Sequence, residues 1–269
     1  KDKKDKKLGF SEAEKQFKEP KITRIEGKSP THISYSQIDN YLVCPLRYKF
    51  SYTLKVPTPP NCALSFGNTI HQTLKDFHTR KMFEEKITLE ELLKMYEKNW
   101  SPLGYKDEKH RKLRFEDGKE ILKRYYERNK DVDVKHIGLE KSFVLDIDGI
   151  KLKGTIDRID KHPDGKIEIV DYKTGKTKTQ KEVDNDVQMT IYTMAATEAL
   201  KIKPDTMSLY FVESGEKLST SRTQKQVDAE KEIVKGVVKG IKDKNFEPTP
   251  GRHCTWCDFK DICPFAEKI

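Results

Sequence analysis

The 269-residue sequence has no long apolar run and few cysteines and tryptophans, five and two respectively. A helix that crosses a membrane needs about 20 consecutive apolar residues, and no segment approaches that length. The amino-terminal residues also lack the apolar stretch of a secretory signal peptide. We therefore expect a cytoplasmic protein with no membrane partner.

Motifs that bind nucleotides are missing as well. The chain contains neither the G-x-x-x-x-G-K-[ST] loop of ATP-binding proteins nor the G-x-G-x-x-G turn of dinucleotide-binding proteins, and no internal repeat is visible. An odd number of cysteines in a cytoplasmic chain argues against a disulfide framework. We therefore expect neither an ATP site nor a disulfide-stabilised fold.

Charged residues are abundant. They make up 36% of the chain, against 35% hydrophobic residues, and the net charge at pH 7 is +9. Residues 1–28 carry +4 of that charge, so the remainder is mildly basic at +5. Such an excess suits a partner with a phosphate backbone, but a solvated lysine-rich surface explains it equally well.

The hydrophobic pattern predicts an α/β fold. Residues 1–30 lack apolar periodicity, which indicates a basic linker or tail before one domain over 31–269; the chain could be cut from a longer polypeptide. Helical spacing dominates the first half, and the alternation typical of strands begins at residue 138. The predicted helices lie near 34–48, 67–80, 88–99, 109–129, 179–200 and 225–243, the later strands near 167–173, 206–212 and 217–222, and the final 25 residues are a cysteine-bearing coil.

An acidic strand stands out in the second half. Side chains alternate along Ile167–Lys173, so Asp171 and Lys173 share one face of a mostly apolar strand. A turn signal, His-Pro-Asp-Gly at 162–165, joins this strand to an earlier arm that contains Asp157. Two carboxylates and a lysine can therefore meet at one hairpin.

The register of the hairpin decides how the carboxylates meet. A three-residue connection places Asp157 opposite Asp171, and a two-residue turn places it opposite Tyr172, so both remain open. If the carboxylates face each other, a bound Mg²⁺ or Mn²⁺ relieves their repulsion. Lys173 would then orient water and stabilise charge on a phosphodiester. Each residue taken singly is more often an ordinary strand-end residue.

Asp157 and the segment Asp171-Tyr172-Lys173 resemble the signature of the PD-(D/E)XK nucleases. In the RecB-like branch the signature reads G-x-x-D-R-x-D and then D-Y-K-T-G, which are residues 154–160 and 171–175 here. Ile156 stands where the superfamily's name has proline. The resemblance implies a restriction-endonuclease-like core, a central mixed sheet flanked by helices, with a helical N-terminal insertion.

Other motifs of this branch imply further site residues. His71 ends a match to the G-x-x-x-H helix start, and His78 competes with it as a metal ligand. Gln188 and Tyr192 match Q-x-x-x-Y, share one helical face, and would contact DNA or the active-site shell. Glu140 matches a position that is often acidic. The resemblance thus implies catalytic roles for Asp157, Asp171, Lys173, Gln188 and Tyr192, and metal binding by His71, Asp157, Asp171 and the carbonyl of Tyr172.

The cysteines suggest a second metal centre. Cys254, Cys257 and Cys263 lie within ten residues, one thiolate short of a tetrahedral set. Cys44, like Cys263, precedes a proline, as cluster ligands often do, whereas Cys62 has a different setting. This layout is similar to the iron–sulfur nuclease domains of AddB and of CRISPR-adaptation exonucleases. By that resemblance Cys44, Cys254, Cys257 and Cys263 hold a [4Fe–4S] cluster; structural Zn²⁺ is the alternative.

The resemblance covers about residues 31–269 and implies a Mg²⁺- or Mn²⁺-dependent deoxyribonuclease. It favours an exonuclease on single-stranded or unwound DNA in repair or recombination, with a superfamily-1 helicase in cis or in trans. Trp256 and Phe259 either stack on bases or, as we prefer, pack against the cysteine loop. The alternatives are a DNA-binding scaffold that does not cut and an RNA nuclease. Cutting polarity and exonuclease or endonuclease mode stay open.

Overall fold

The computed structural model describes residues 30–83 and 86–266. The predicted linker or tail at 1–30 therefore lies outside the described residues, apart from its last residue. Within the described ranges, no helix is long and apolar enough to span a membrane. A mixed sheet with helices on both faces forms the centre of the molecule. The predicted α/β fold with a central mixed sheet is confirmed.

Six strands of the described chain form the sheet, in the order β1-β3-β4-β5-β6. The long strand β3 pairs with β1 near its start and with β4 near its end, and β2 pairs along its whole length. The β1–β3 and β4–β5 pairs are parallel and the other pairs antiparallel. The strands are β1 His32–Ile33, β2 Lys135–Ile147, β3 Ile150–Lys161, β4 Ile167–Lys173, β5 Thr206–Phe211 and β6 Glu216–Thr220.

Side-chain caps define where most helices begin. Ser34, Thr88, Thr179 and Thr223 each form a capping box with a Gln or Glu three residues later, a device that contributes about 1 kcal/mol per helix. The helices are α1 Tyr35–Val43, α2 Pro45–Tyr48, α3 Cys62–Met82, α4 Leu89–Asn99, α5 Glu108–Asn129, α6 Gln180–Asp184, α7 Val187–Met194 and α8 Gln224–Lys242, with π-helical turns at Lys49–Thr53 and Ala195–Ala199 and a 3₁₀ turn at Arg252–Trp256.

Three helical predictions were wrong in their bounds. The single helix predicted near 34–48 is broken at Cys44, whose backbone is extended between α1 and Pro45 of α2, as is usual for a residue before proline. The helix predicted at 67–80 begins at Cys62, because the Asn61 side chain accepts hydrogen bonds from the next turn; the G-x-x-x-H stretch therefore lies inside α3 and not at its start. The single helix predicted at 179–200 is broken into α6 and α7. Asp186 is extended and caps α7 through the N–H of Met189, which is the conformation that aspartate favours at a helix start.

Two apolar clusters cover the two faces of the sheet. The first contains side chains of α1, α7 and α8, and the second contains side chains of α3, α4 and α5. Of the helices between β1 and β2, α3, α4 and α5 therefore form the layer over one face, whereas α1 packs on the opposite face with α7 and α8. The sheet is enclosed on both sides, so any reactive group must lie where strands end or separate.

His78, on α3, is fully enclosed in the second layer. Burial, helped by the positive charge of Arg158, holds the pKa of His78 well below its usual value. The unfolded chain binds a proton at this side chain near pH 6.5 and the folded protein does not. The free energy of unfolding should therefore fall as the pH drops below about 6.5, by up to about 1.4 kcal/mol per pH unit.

Urea unfolding at a series of pH values measures this slope. The His78→Gln variant should lose it, whereas His32→Gln, which changes an exposed imidazole, should keep it. An equal slope in His78→Gln and the unchanged protein would contradict the assignment.

Candidate active site

The β3–β4 hairpin has a three-residue connection, one of the two registers that the sequence left open. His162 donates its N–H to the carbonyl of Lys166, and Gly165 adopts a φ of 86°, the left-handed conformation that such loops place at glycine. The paired residues end at Arg158 with Val170. One further step in this register sets Asp157 opposite Asp171.

The alternation of β3 breaks at Asp157. Ile156 belongs to the first apolar cluster, whereas Arg158 contacts Tyr125 and Tyr172 of the second. Residues two apart in a regular strand share a face, so the strand changes face between them. Irregularities of this kind occur beside active sites, where they redirect a side chain. Asp157 thus lies where β3 leaves β4.

Two groups hold the Asp157 carboxylate. The N–H of Tyr172 donates to its Oδ2 at 2.8 Å, and Nδ1 of His71 lies 3.2 Å from the same oxygen. His71 extends from α3, the helical layer over the second cluster. Its side chain is 31% exposed, so this end of the sheet is open to solvent.

Glu140 completes a group that could hold a metal ion. The β2–β3 register sets it opposite Asp157, and one ligand atom each from Glu140, Asp157 and His71 lies within 4.8 Å of the others. The backbone of Glu140 has a φ of 45°, a left-handed conformation that costs about 1–3 kcal/mol. Burial and the charge of Asp157 raise the pKa of its carboxyl.

Asp171 lies deeper and has different partners. Its Oδ2 is 2.6 Å from Nζ of Lys173, and its Oδ1 accepts hydrogen bonds from Gln188 at 3.1 Å and Tyr192 at 3.2 Å. Gln188 also accepts from Lys173 at 2.7 Å. Its amide therefore joins the lysine to the carboxylate and fixes the orientation of both.

The electrostatics of the cleft favour bound positive charge. Burial raises the pKa of Asp171, and repulsion by Asp157 adds to this although Lys173 opposes it. For His71, burial lowers the pKa, but the hydrogen bond and charge of Asp157 outweigh burial and raise it. Protons and cations are thus both drawn to the same oxygens.

The structure brings the candidates His71, Asp157, Asp171, Tyr172, Lys173, Gln188 and Tyr192 to one end of the sheet. Glu140, a weaker expectation from its position alone, joins them. His78 lies two turns further along α3, where it contacts His136, Tyr125 and Arg158 and none of the carboxylates of this site. Gln188 and Tyr192 are both buried, so their contacts are with the carboxylate shell.

Four of the five cysteines surround one cavity, Cys44 from the α1–α2 junction and Cys254, Cys257 and Cys263 from the C-terminal coil. Burial raises the pKa of the Cys44 thiol, but N–H groups of Thr249, Arg47 and Leu46 donate to it and leave the pKa lowered overall. Cys62 lies apart, in the first turn of α3.

Trp256 and Phe259, the coil residues considered for base stacking, differ in their burial. Phe259 is buried and packs on Phe50, with ring centroids 5.3 Å apart, in line with the preferred packing role. Trp256 is 66% exposed, so the packing interpretation was wrong for this residue. The short 3₁₀ turn that carries Trp256 leaves its ring outside the apolar interior.

The sequence profile of the PD-(D/E)XK nuclease superfamily matches residues 32–264. The chain belongs to this superfamily. As a PD-(D/E)XK nuclease it is a hydrolase of nucleic acid backbones, and such nucleases usually employ Mg²⁺ or Mn²⁺.

The chain is also similar to two other proteins. The Gene 69 protein of Mycobacterium phage D29 is 25% identical over 264 residues, which cover 86% of this nuclease and 96% of the phage protein. A crystal structure of a candidate exonuclease from Eubacterium rectale superposes with a TM-score of 0.53 at 13% identity and covers 89% of this chain and 91% of that one. At that identity the second comparison demonstrates a shared fold alone.

Proposed function

We propose that this nuclease is a Mg²⁺- or Mn²⁺-dependent deoxyribonuclease of the RecB-like branch. The observation that carries the proposal is the juxtaposition of a His71–Glu140–Asp157 group with the Asp171–Lys173 pair. One group offers metal ligands and the other offers a charged lysine within the same cleft. A scaffold that only binds DNA has no need of both.

The donor set fits a small divalent cation. Carboxylate oxygens are the ligands that Mg²⁺ and Mn²⁺ prefer, and an imidazole is compatible with Mn²⁺. Asp171 and the Tyr172 carbonyl would complete the set. Within a strand, the N–H and C=O of one residue point to the same side, and the N–H of Tyr172 points to Asp157, so its carbonyl lies on the same side.

The protein's own groups would align the reactants. A bound cation would polarise the phosphodiester and lower the pKa of an attacking water. Burial lowers the pKa of Lys173, but the charge and hydrogen bond of Asp171, together with the charges of Asp157 and Asp186, outweigh burial and raise it, so the lysine keeps its proton. A charged Lys173 can hold the attacking water and stabilise the phosphoryl oxygens. Gln188 and Tyr192 would keep the Asp171 carboxylate in a single orientation.

Glu140→Gln tests the part of the metal group that the sequence indicated least firmly. The change keeps the size of the side chain and removes its charge. We expect cleavage at low metal concentration to fall about 10- to 100-fold, and raised metal to restore most of the rate. Metal titrations of the cleavage rate measure this.

Glu127→Gln, which changes a surface carboxylate of α5, serves as the control and should behave like the unchanged protein. If Glu140→Gln leaves the metal dependence unaltered, Glu140 is not a ligand.

We propose DNA as the substrate, in single-stranded or unwound form, with exonuclease action in repair or recombination. The RecB-like motifs support this, and so does the basic excess of the chain. We further propose that residues 31–269 act as one nuclease domain, served by a superfamily-1 helicase in cis or in trans. Trp256 is available to stack on a base, since its ring is exposed.

We propose a [4Fe–4S] cluster at Cys44, Cys254, Cys257 and Cys263. The four thiols line one cavity, and the N–H donors around Cys44 suit a thiolate ligand. The resemblance to iron–sulfur nuclease domains favours the cluster, and structural Zn²⁺ is the alternative. The cluster would tie α1 to the C-terminal coil.

The proposal is tested by incubating the protein with end-labelled single-stranded DNA, duplex DNA and RNA of one sequence, with Mg²⁺, Mn²⁺ or a chelator. We expect metal-dependent cleavage that is fastest on single-stranded DNA, and the position of the label gives the polarity. Binding of DNA without cleavage in any metal would favour the scaffold, and faster cleavage of RNA would reassign the substrate.

A further inference from the structure

A closed ring of buried polar side chains lies beside the proposed metal site. Consecutive members are joined by contacts of 3.0 Å or less, and all are buried. The ring runs Arg158, Asp160, His136, His78, Tyr125, Tyr172 and back to Arg158. Apolar side chains of similar size would avoid the cost of desolvating these groups. The proposed chemistry uses none of these side chains directly.

The two histidines of the ring are joined to each other and to charged neighbours. Nδ1 of His78 lies 2.8 Å from Nε2 of His136, and Nδ1 of His136 lies 2.7 Å from Asp160. Arg158, which can only donate, lies 3.0 Å from Nε2 of His78. The ring thus contains one guanidinium and one carboxylate, and these two groups form an ion pair.

The ring has a member in every element that carries a proposed metal ligand. Each pair lies on one continuous helix or strand, a few residues apart. The pairs are His78 with His71 on α3, His136 with Glu140 on β2, Arg158 with Asp157 on β3, and Tyr172 with Asp171 on β4. Tyr125 comes from α5, which carries none of the four ligands.

We propose that this ring is a positioning device that sets the spacing of the metal ligands, and so the affinity of the nuclease for its cation. The inference rests on the proposed function. Ring contacts fix α3, β2, β3 and β4 relative to one another in the sheet's enclosed layer. Because the contacts are hydrogen bonds, apart from the ion pair between Arg158 and Asp160, they are directional and favour one arrangement of the elements. An apolar core would tolerate small shifts that separate the ligand atoms.

Tyr125→Phe is the sharpest test, because it removes one hydroxyl and leaves the ring packing and all four ligands unchanged. We expect the Kd for Mn²⁺, measured by calorimetry, to rise about 10-fold or more. The kcat at saturating Mn²⁺ and the KM for DNA should stay within about twofold of the unchanged protein. Asp160→Asn removes the charge of another ring member that is no proposed metal ligand, and it should likewise raise the Kd for Mn²⁺ while kcat and KM stay unchanged; it replaces Tyr125→Phe if that variant does not fold.

Ser208→Ala is the matched control. Ser208 is also fully buried in the sheet, but it bonds to Glu168 and Ser219 and to no member of the ring. It should lower the Tm without changing the Kd for Mn²⁺. An unchanged Kd for Mn²⁺ in a folded variant of Tyr125 or Asp160, or an equal rise in Ser208→Ala, would overturn the positioning role. If the unchanged protein binds no Mn²⁺ at all, the proposed function fails instead.

Discussion

Asp171→Asn should lower the rate of metal-dependent cleavage by a factor on the order of 10³ or more. The asparagine keeps the shape of the side chain but removes the charge that holds Lys173 and completes the proposed ligand set. The loss should appear in kcat at saturating metal, because no concentration of cation replaces the missing carboxylate. Single-turnover cleavage of labelled DNA measures it.

Two controls separate chemistry from folding. Asp146→Asn changes an exposed aspartate that pairs with Lys151, and it should cleave at the unchanged rate. Asp171→Asn should still bind single-stranded DNA in Ca²⁺, with the circular dichroism spectrum of the unchanged protein. Cleavage within about tenfold of normal by Asp171→Asn would remove Asp171 from the reaction.

Cys44→Ser should remove the cluster and much of the stability. We expect iron to fall from about four atoms per chain to less than about one. Without the link between α1 and the C-terminal coil, the Tm should drop by more than about 10 °C, because the free energy of metal binding contributes directly to folding. Iron and zinc analysis of anaerobically purified protein and thermal unfolding measure the two effects.

Cys62→Ser provides the matched control, because Cys62 lies in α3 and does not line the cysteine cavity. It should keep both iron and Tm. One zinc per chain and no iron in the unchanged protein would assign the centre to Zn²⁺. Equal metal content in Cys44→Ser and the unchanged protein would contradict a role for Cys44 in either centre.

Local signals in the sequence predicted most of the fold. The helices near Leu89 and Gln224 begin within a residue or two of prediction, because threonine capping boxes and apolar periodicity agree there. The long helix at 179–200 failed because apolar periodicity continues across Asp186, whose cap interrupts the helix. The early start of α3 depends on the Asn61 cap, which the apolar pattern does not reveal.

The geometry of the candidate active site was harder to predict from the sequence. Asp171 and Lys173 share a face in any regular strand, so their pairing could be predicted from alternation alone. The change of face at Asp157 and the left-handed backbone of Glu140 could not, because they arise from the pairing of distant strands. The exposure of Trp256 likewise depends on where the coil folds back, which no local pattern encodes.

In the proposed active site, one cation would bind between α3 and the strands β2, β3 and β4. The most direct test is anomalous diffraction from a crystal soaked in Mn²⁺, with the cysteine cavity as an internal reference for iron. We expect a manganese peak in contact with His71, Glu140 or Asp157, beside Asp171. A well-ordered crystal that binds Mn²⁺ elsewhere and leaves these side chains without a peak would contradict it.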